Sequence, residues 1–311
     1  HLYLIQHLPN CNSMPIKILS EKTINQIAAG EVVERPLSVV KELVENAIDA
    51  QATAITIHLE QGGKNLIVVE DNGIGMPLED LKICVLRHAT SKLVEEDIAN
   101  IRYLGFRGEA LPSIAAVSNL KITTKHQEDQ DGWELSTDEN GEISVAPSAH
   151  HIGTRIEVRN LFCHTPSRLR FLKSSNAEIS GCMDLINRLA LCSPQIAFKV
   201  FHNGRKLADY PQAGTGEKAF KVRVGNVLGK DFLTNSMHVR NSYDGMEIEG
   251  LVSYPTYHRA TAAQQYFFVN NRTVKDKLLF GAIKGAYRNL MPGDKHPAVV
   301  LYIKVDPRGV D

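Results

Sequence analysis

Between Arg35 and Ala50 the run RPLSVVKELVENAIDA sets Leu37, Val40, Leu43, Val44, Ala47 and Ile48 at helical spacing, with Pro36 where a first helical turn tolerates it. The pattern predicts an amphipathic helix. Ile55, Ile57 and Leu59 then alternate as in a half-buried strand, Gly62-Gly63 turns the chain, and LIVVE makes a second strand ending at Asp71. Leu78 to His88 reads as a short helix. The following SKLVEEDIANIRYLGFRGEAL keeps no sustained period, as a long mobile loop would, and helix returns from about Pro112 to Val117. Strands are predicted near 120–124, 133–137, 143–145 and 154–159, then a helix near 177–192 and a hairpin turning at Asn203-Gly204. The stretch PQAGTGE at 211–217 is the expected linker to a smaller mixed domain. That domain has predicted strands near 247–254, 265–270 and 298–305 and a helix near 276–290.

Composition narrows the class without naming a function. The chain has 311 residues, 43% of them hydrophobic, enough for two domains with sizeable cores. Thirty-five basic residues balance thirty-five acidic ones, so total charge announces neither a nucleic-acid binder nor a membrane-surface protein. The distribution says more: Ala213 to Asp311 carries 14 Lys and Arg against 9 Asp and Glu. The five cysteines, Cys11, Cys84, Cys163, Cys182 and Cys192, form no CxxC pair and read as reduced thiols. No apolar run approaches a membrane span, so no membrane association is expected. Met14 looks like a natural start, and HLYLIQHLPNCNS at 1–13 is expected to be a non-native or mis-annotated extension.

Three segments carry chemistry. On the predicted first helix Glu42, Glu45, Asn46 and Asp49 share one face opposite the apolar stripe, three acids with no basic partner expected. A plain solvated face is the alternative, although like charges at i,i+4 cost roughly 0.2–0.5 kcal/mol. The loop DNGIGM, Asp71 to Met76, offers a carboxylate between glycines that let the backbone approach a ligand, or a simple turn. GFRGEAL, Gly105 to Leu111, precedes a helix whose N-terminus could receive phosphate. His150, His151 and His164 have no ligand spacing, and no zinc site is expected. Arg168, Arg170 and Lys173 form one basic cluster, and Arg272, Lys275 and Lys277 form another.

In order, NQIAAGEVVERP, KELVENAIDA, DNGIGM, RHATSK and GFRGEAL resemble the signatures of the MutL family within the GHKL ATPase superfamily. HIGT, HTPSRLRF and FVNNR resemble its later landmarks, so the likeness spans Met14 to Asp311. The resemblance implies an α+β chain: a GHKL (Bergerat) α/β sandwich over 14–210, then a smaller, transducer-like mixed domain over 211–311 that stops short of its own end. It also implies ATP and Mg²⁺ as cofactors and a weak ATPase acting in DNA mismatch repair. Glu42 matches the general base, Asn46 the Mg²⁺ ligand and Asp71 the acceptor of the adenine amino group, with Thr154 supporting the adenine through water. Asp49, Gly73, Gly75 and Met76 are expected beside the nucleotide. Thr90, Ser91 and Lys92, with Gly105, Phe106, Arg107, Gly108, Glu109, Ala110 and Leu111, are expected in a lid over the phosphates.

The implied partners are a second MutL subunit joined in a nucleotide-dependent dimer, a MutS-type mismatch sensor, a downstream nuclease or helicase, and the DNA backbone. Arg272, Lys275 and Lys277 are the candidates for touching DNA. A bacterial-type protein would be cytoplasmic, a eukaryotic relative nuclear. Gln51 where glycine is common, Pro112 after GEAL, and HTPSRLRF in place of NTPARRKF depart from the family wording. The family's lysine that reaches the γ-phosphate from the second domain is expected beyond VDPRGVD. Competing readings are an ATP-binding scaffold without significant hydrolysis, or another GHKL ATPase such as a type II topoisomerase B subunit.

Overall fold

The computed structural model describes residues 20–87, 89, 108–138 and 142–306. Helix α1 (Glu21–Val32) starts at Ser20, whose hydroxyl accepts from the Thr23 amide, and α2 (Pro36–Asp49) starts at a proline. Strands β1 (Ala54–Glu60) and β2 (Leu66–Asp71) form the expected hairpin. Helix α3 is Leu78–Ile83, shorter than the expected run to His88, and α4 is Ala110–Val117. Strands β3 (Asn119–Lys125), β4 (Gly132–Thr137), β5 (Ile143–Ser148) and β6 (Gly153–Arg159) follow, then α5 (Pro166–Phe171), α6 (Ser175–Cys192), β7 (Ala197–His202) and β8 (Arg205–Tyr210).

These eight strands make one sheet in the order β5-β4-β3-β6-β2-β1-β7-β8, antiparallel throughout except where β1 runs parallel to β7. Ile55, Ile57 and Leu59 of β1 point to the buried face, as their alternation requires, and meet Val40, Leu43 and Val44 of α2 and Ile186 and Leu189 of α6 in one core. The opposite face is charged. There Arg155 pairs with Glu70 at 2.6 Å and with Glu157 at 3.0 Å.

A second group begins with α7 (Gly216–Leu228) and α8 (Lys230–Thr234), neither of them expected from the sequence pattern. Strands β9 (Ser236–Tyr243), β10 (Met246–Ser253), β11 (His258–Arg259), β12 (Gln265–Val269) and β13 (Arg272–Val274) come next. Helix α9 (Lys277–Ala286), β14 (His296–Pro297) and β15 (Val299–Lys304) complete the described chain. Five of these strands form a sheet ordered β13-β12-β15-β10-β9, and β11 pairs with β14. The core of this group includes Leu191 from α6.

The two sheets meet through buried cations. Arg223 of α7 is fully buried and its Nη2 donates to the carbonyls of Pro194 at 3.1 Å, Ile196 at 2.6 Å and Pro211 at 3.1 Å. Its guanidinium lies 5.8 Å from the Phe198 ring centre and 6.0 Å from that of Tyr210. Arg188 of α6 is also buried, 4.8 Å from the Tyr266 ring centre, and donates to Asp184 at 3.1 Å. Asp184 in turn accepts from Lys275 of the second group at 2.7 Å. The expected linker is thus held rather than loose, since Ala213 N also donates to the Pro194 carbonyl at 2.8 Å and α7 already starts at Gly216.

Candidate functional site

A cavity of about 860 Å³ opens between α2, the loop after β2, and the start of α4. This is the size of a cleft that takes a small molecule. Glu42, Asn46 and Asp49 of α2 line it, as do Asp71, Gly75 and Met76, Gly108 to Leu111, and Thr154. Helical periodicity places the first three on one side, and the β2–β6 register sets Asp71 directly beside Thr154.

The loop from Asp71 to Met76 is fixed from several sides. Asp71 Oδ1 accepts the Gly73 amide at 2.8 Å, Asn72 Oδ1 accepts the amides of Thr53 and Ala54 at 2.9 and 2.8 Å, and Ile74 N donates to Ala50 O at 3.0 Å. Gly75 has φ +72, and a Cβ there would sit 2.0 Å from the Lys125 carbonyl. Gly153 has φ +126, and a Cβ would fall 2.1 Å from the Asp71 carbonyl, so only glycine lets β6 close on β2 here. Gly73 does not line the cavity and instead abuts the carbonyl of Ala50.

Burial pushes the Asp71 carboxyl up from an ordinary 3.8 to about 6, against the lowering effect of the Gly73 and Thr154 amides. No cation is among the groups that set this shift.

One expectation for α2 is overturned. Two of the three acids do have a basic partner, because Lys41 Nζ lies 3.2 Å from Glu42 Oε1 and 3.2 Å from Glu45 Oε2. Glu45 is buried and is not among the residues lining the cavity. Burial raises its carboxyl and the neighbouring Glu42 charge adds to this, while Lys41 opposes both. The helical wheel placed the side chains by Cα direction alone. It missed that a lysine stem reaches one residue forward as easily as four.

Helix α4 begins at Ala110 with Glu109 in the N-cap position and no side-chain capping bond, and its first turn lines the cavity. Pro112 falls in that first turn, where a missing amide costs nothing. Thr90, Ser91, Lys92, Gly105, Phe106 and Arg107 lie outside the described residues. Glu31, Asp80 and His126 also line the cavity, though sequence reasoning assigned them nothing. Glu31 lay within the quoted NQIAAGEVVERP, so its motif was a signal. His126 had none, being brought in by the β3 turn.

Of the DNA candidates, Arg272 and Lys277 are exposed, while Lys275 gives its ammonium to Asp184. Among the described residues no three His, Cys, Asp or Glu side chains converge as metal ligands, and no helix is long and apolar enough to cross a membrane.

Residues 34–157 match the family described as histidine kinase-, DNA gyrase B-, and HSP90-like ATPase, and residues 224–311 match DNA mismatch repair protein, C-terminal domain. The DNA mismatch repair protein MutL of Rickettsia bellii is 47% identical over 299 residues, covering 96% of this chain and 49% of the relative. That of Paramagnetospirillum magneticum is also 47% identical, with the same coverage. The chain therefore spans about half the length of the curated relatives it matches. A solved structure described as the Aquifex aeolicus MutL ATPase domain complexed with ADP superposes with a TM-score of 0.68 at 30% identity, covering 89% of this chain and 94% of that one. The order of motifs, the two matched regions and this superposition agree: the chain belongs to the MutL family of DNA mismatch repair proteins.

Proposed function

We propose that this chain binds MgATP in the cavity and hydrolyses it slowly, using the bound state to control its assembly in DNA mismatch repair. The observation that carries the reading is the division of the cavity into two chemically distinct ends. At one, Asp71 presents a buried acceptor beside Thr154. At the other, Glu42 and Asn46 line the cavity from α2, as does the start of α4, which has no side-chain cap. A purine with an exocyclic amine suits the first end, and a polyphosphate suits the second.

The residues present also fit a Mg²⁺ ion. An amide oxygen from Asn46, with phosphate oxygens and retained waters, satisfies a cation that sheds its hydration reluctantly, and no cluster of carboxylates is needed. When bound, the ion supplies charge neutralisation between the phosphates. The chain's own part is then positional. Asp71 and Thr154 seat the base, the α4 amides receive phosphate oxygens, and Glu42 takes a proton from the attacking water. Lys41, which also lines the cavity, holds the Glu42 carboxylate in place at 3.2 Å. Thr90 to Lys92 and Gly105 to Arg107 would complete the lid, and turnover is slow because lid closure and pairing with a second MutL subunit limit it. A MutS-type sensor, a nuclease or helicase, and the DNA backbone remain the proposed partners of the whole protein.

Glu42→Ala tests the assignment. A positioned base contributes on the order of 10²–10⁴-fold while adding little to ground-state binding, so turnover should fall by that factor and ATP affinity should hold. Calorimetry paired with a single-turnover assay reads both quantities. Wild-type turnover in the variant would remove Glu42 from the role.

A further inference from the structure

Thr124 on β3 is fully buried, and it is not among the residues that line the cavity. Its hydroxyl nevertheless touches three groups around the deep end. The Met76 amide donates to it at 2.9 Å, the Gly153 carbonyl lies 3.0 Å away, and the Thr154 hydroxyl lies 3.0 Å away.

A hydroxyl has one proton and two acceptor lone pairs. The Met76 amide can only donate and the Gly153 carbonyl can only accept. Thr124 must therefore give its proton to Gly153 and spend one lone pair on Met76. Its second lone pair is left for Thr154, whose hydroxyl has to be the donor in that contact. The reverse assignment would press the Thr124 and Gly153 oxygens together at 3.0 Å with no proton between them.

The consequence appears one residue away, in the cavity itself. With its proton turned towards Thr124, the Thr154 hydroxyl shows the cavity lone pairs only. The Asp71 carboxylate, paired with Thr154 across β2 and β6, shows acceptors too.

The geometry points to Thr124 as a positioning residue for base recognition. By fixing the Thr154 proton it makes the deep end acceptor-only, which favours a purine bearing an exocyclic amine over one bearing a carbonyl. This rests on the nucleotide-binding reading above and deepens it. A carbonyl edge would meet acceptor against acceptor at Asp71 and Thr154. A water bridging Asp71 and Thr154 does not relieve the conflict, because it spends both protons on those two acceptors and has none left for a carbonyl.

The test compares ATP with inosine triphosphate, which shares the ribose and phosphates and differs only at this edge. Dissociation constants for both are measured on the wild-type chain, Thr124→Ser and Thr124→Val by calorimetry. In the wild type ATP should bind at least about tenfold tighter, since a site whose polar groups lose their match forfeits at least one hydrogen bond. Thr124→Ser should keep that ratio. Thr124→Val frees the Thr154 proton to turn into the cavity, and the ratio should fall several-fold, chiefly through stronger relative binding of inosine triphosphate, while Asp71 keeps part of the preference for ATP. If Thr124→Val does not fold, Thr124→Cys, with a weakly bonding thiol, should give an intermediate ratio. A variant that weakens both nucleotides by the same factor would show that Thr124 merely packs the loop, and the proposal fails. A wild type that binds neither nucleotide overturns the nucleotide reading itself, a different outcome from an unchanged ratio.

Discussion

The cavity and the junction between the two sheets both bury charge, and they treat it in opposite ways. At the junction, burial alone would raise the Asp184 carboxyl, yet the bonds and charges of Arg188 and Lys275 hold it below its ordinary value. Arg223 has no carboxylate partner, but three backbone carbonyls converge on one of its nitrogens. Burial lowers its guanidinium only to about 10, so it stays charged at neutral pH. At the cavity the balance runs the other way. Asp71 is raised, because burial there outweighs the amides that the chain itself supplies. The ion-paired Asp184 is answered from within the fold, whereas Arg223 is answered only in part, its Nε and Nη1 being buried without a hydrogen-bond partner. A group whose carboxyl is left raised at the wall of a cavity points instead to something the fold does not contain.

That contrast breaks most visibly at Arg223. Arg223→Ala leaves a void and three carbonyls without their donor, and should cost about 3–5 kcal/mol of stability by urea unfolding. Arg223→Met fills the void without the donors and should cost less. A loss under about 1 kcal/mol for the alanine variant would mean that the junction does not depend on this cation.

Asp71→Asn should do the reverse, stabilising the empty protein while weakening ATP. The carboxyl sits at about 6 in the fold against an ordinary 3.8, so folding favours its protonated form. Its contribution is complete below about pH 4 and is lost as pH rises through 6. At pH 7.5 the asparagine variant should therefore be more stable by roughly 1–2 kcal/mol, without the wild-type decline across that window. ATP affinity should fall by about 10–100-fold, because the amide can present N–H groups where an acceptor was needed. Thermal melts across pH would check the first claim and calorimetry the second. A variant less stable than wild type at pH 7.5 would mean that Asp71 is answered within the fold after all.

Gln51 sharpens the picture on a smaller scale. It lines the cavity at φ 60, a left-handed conformation in a position where the family commonly has glycine. Gln51→Gly relieves that strain but loosens the unfolded chain, and the net gain should be about 0.5–1 kcal/mol by urea unfolding. A loss of stability would show that the glutamine side chain makes up for its backbone.

What the sequence made legible follows from the same physics. Helix α2 was readable because its apolar stripe faces the core and a proline marks its start. Helix α1 was not, because Ile24 and Ile27 are exposed while Ala29 and Val33 supply the burial, so its stripe carries little periodic signal. Strand β9 escaped because it is a largely exposed edge with no alternation to detect. In the site, Glu42, Asn46, Asp71 and Thr154 stood inside recognisable motifs. Thr124 did not, and only the register of β3 against β6 brings it to Thr154. The pairing of Lys275 with Asp184, 91 residues apart, was invisible for the same reason.

That pairing sets the last and, on binding, the smallest effect. Arg272 is exposed and has no ion-pair partner among the described residues, whereas Lys275 shares its charge with Asp184 at 2.7 Å. If this face meets DNA phosphates, each free cation releases about one counterion and adds roughly one to the slope of log affinity against log salt. Arg272→Ala should then flatten the slope by about one, while Lys275→Ala should leave it nearly unchanged. Asp184→Ala should steepen it by up to about one, because it frees Lys275, and it should also cost about 3–5 kcal/mol of stability, because it leaves the buried Arg188 without its carboxylate. Affinities for one duplex across a salt series, with unfolding midpoints as the folding control, measure all three. A Lys275→Ala slope as flat as that of Arg272→Ala would mean the ion pair opens to meet DNA. The charge at the junction would then be as available to a ligand as the charge at the cavity, and the distinction between the two regions would be lost.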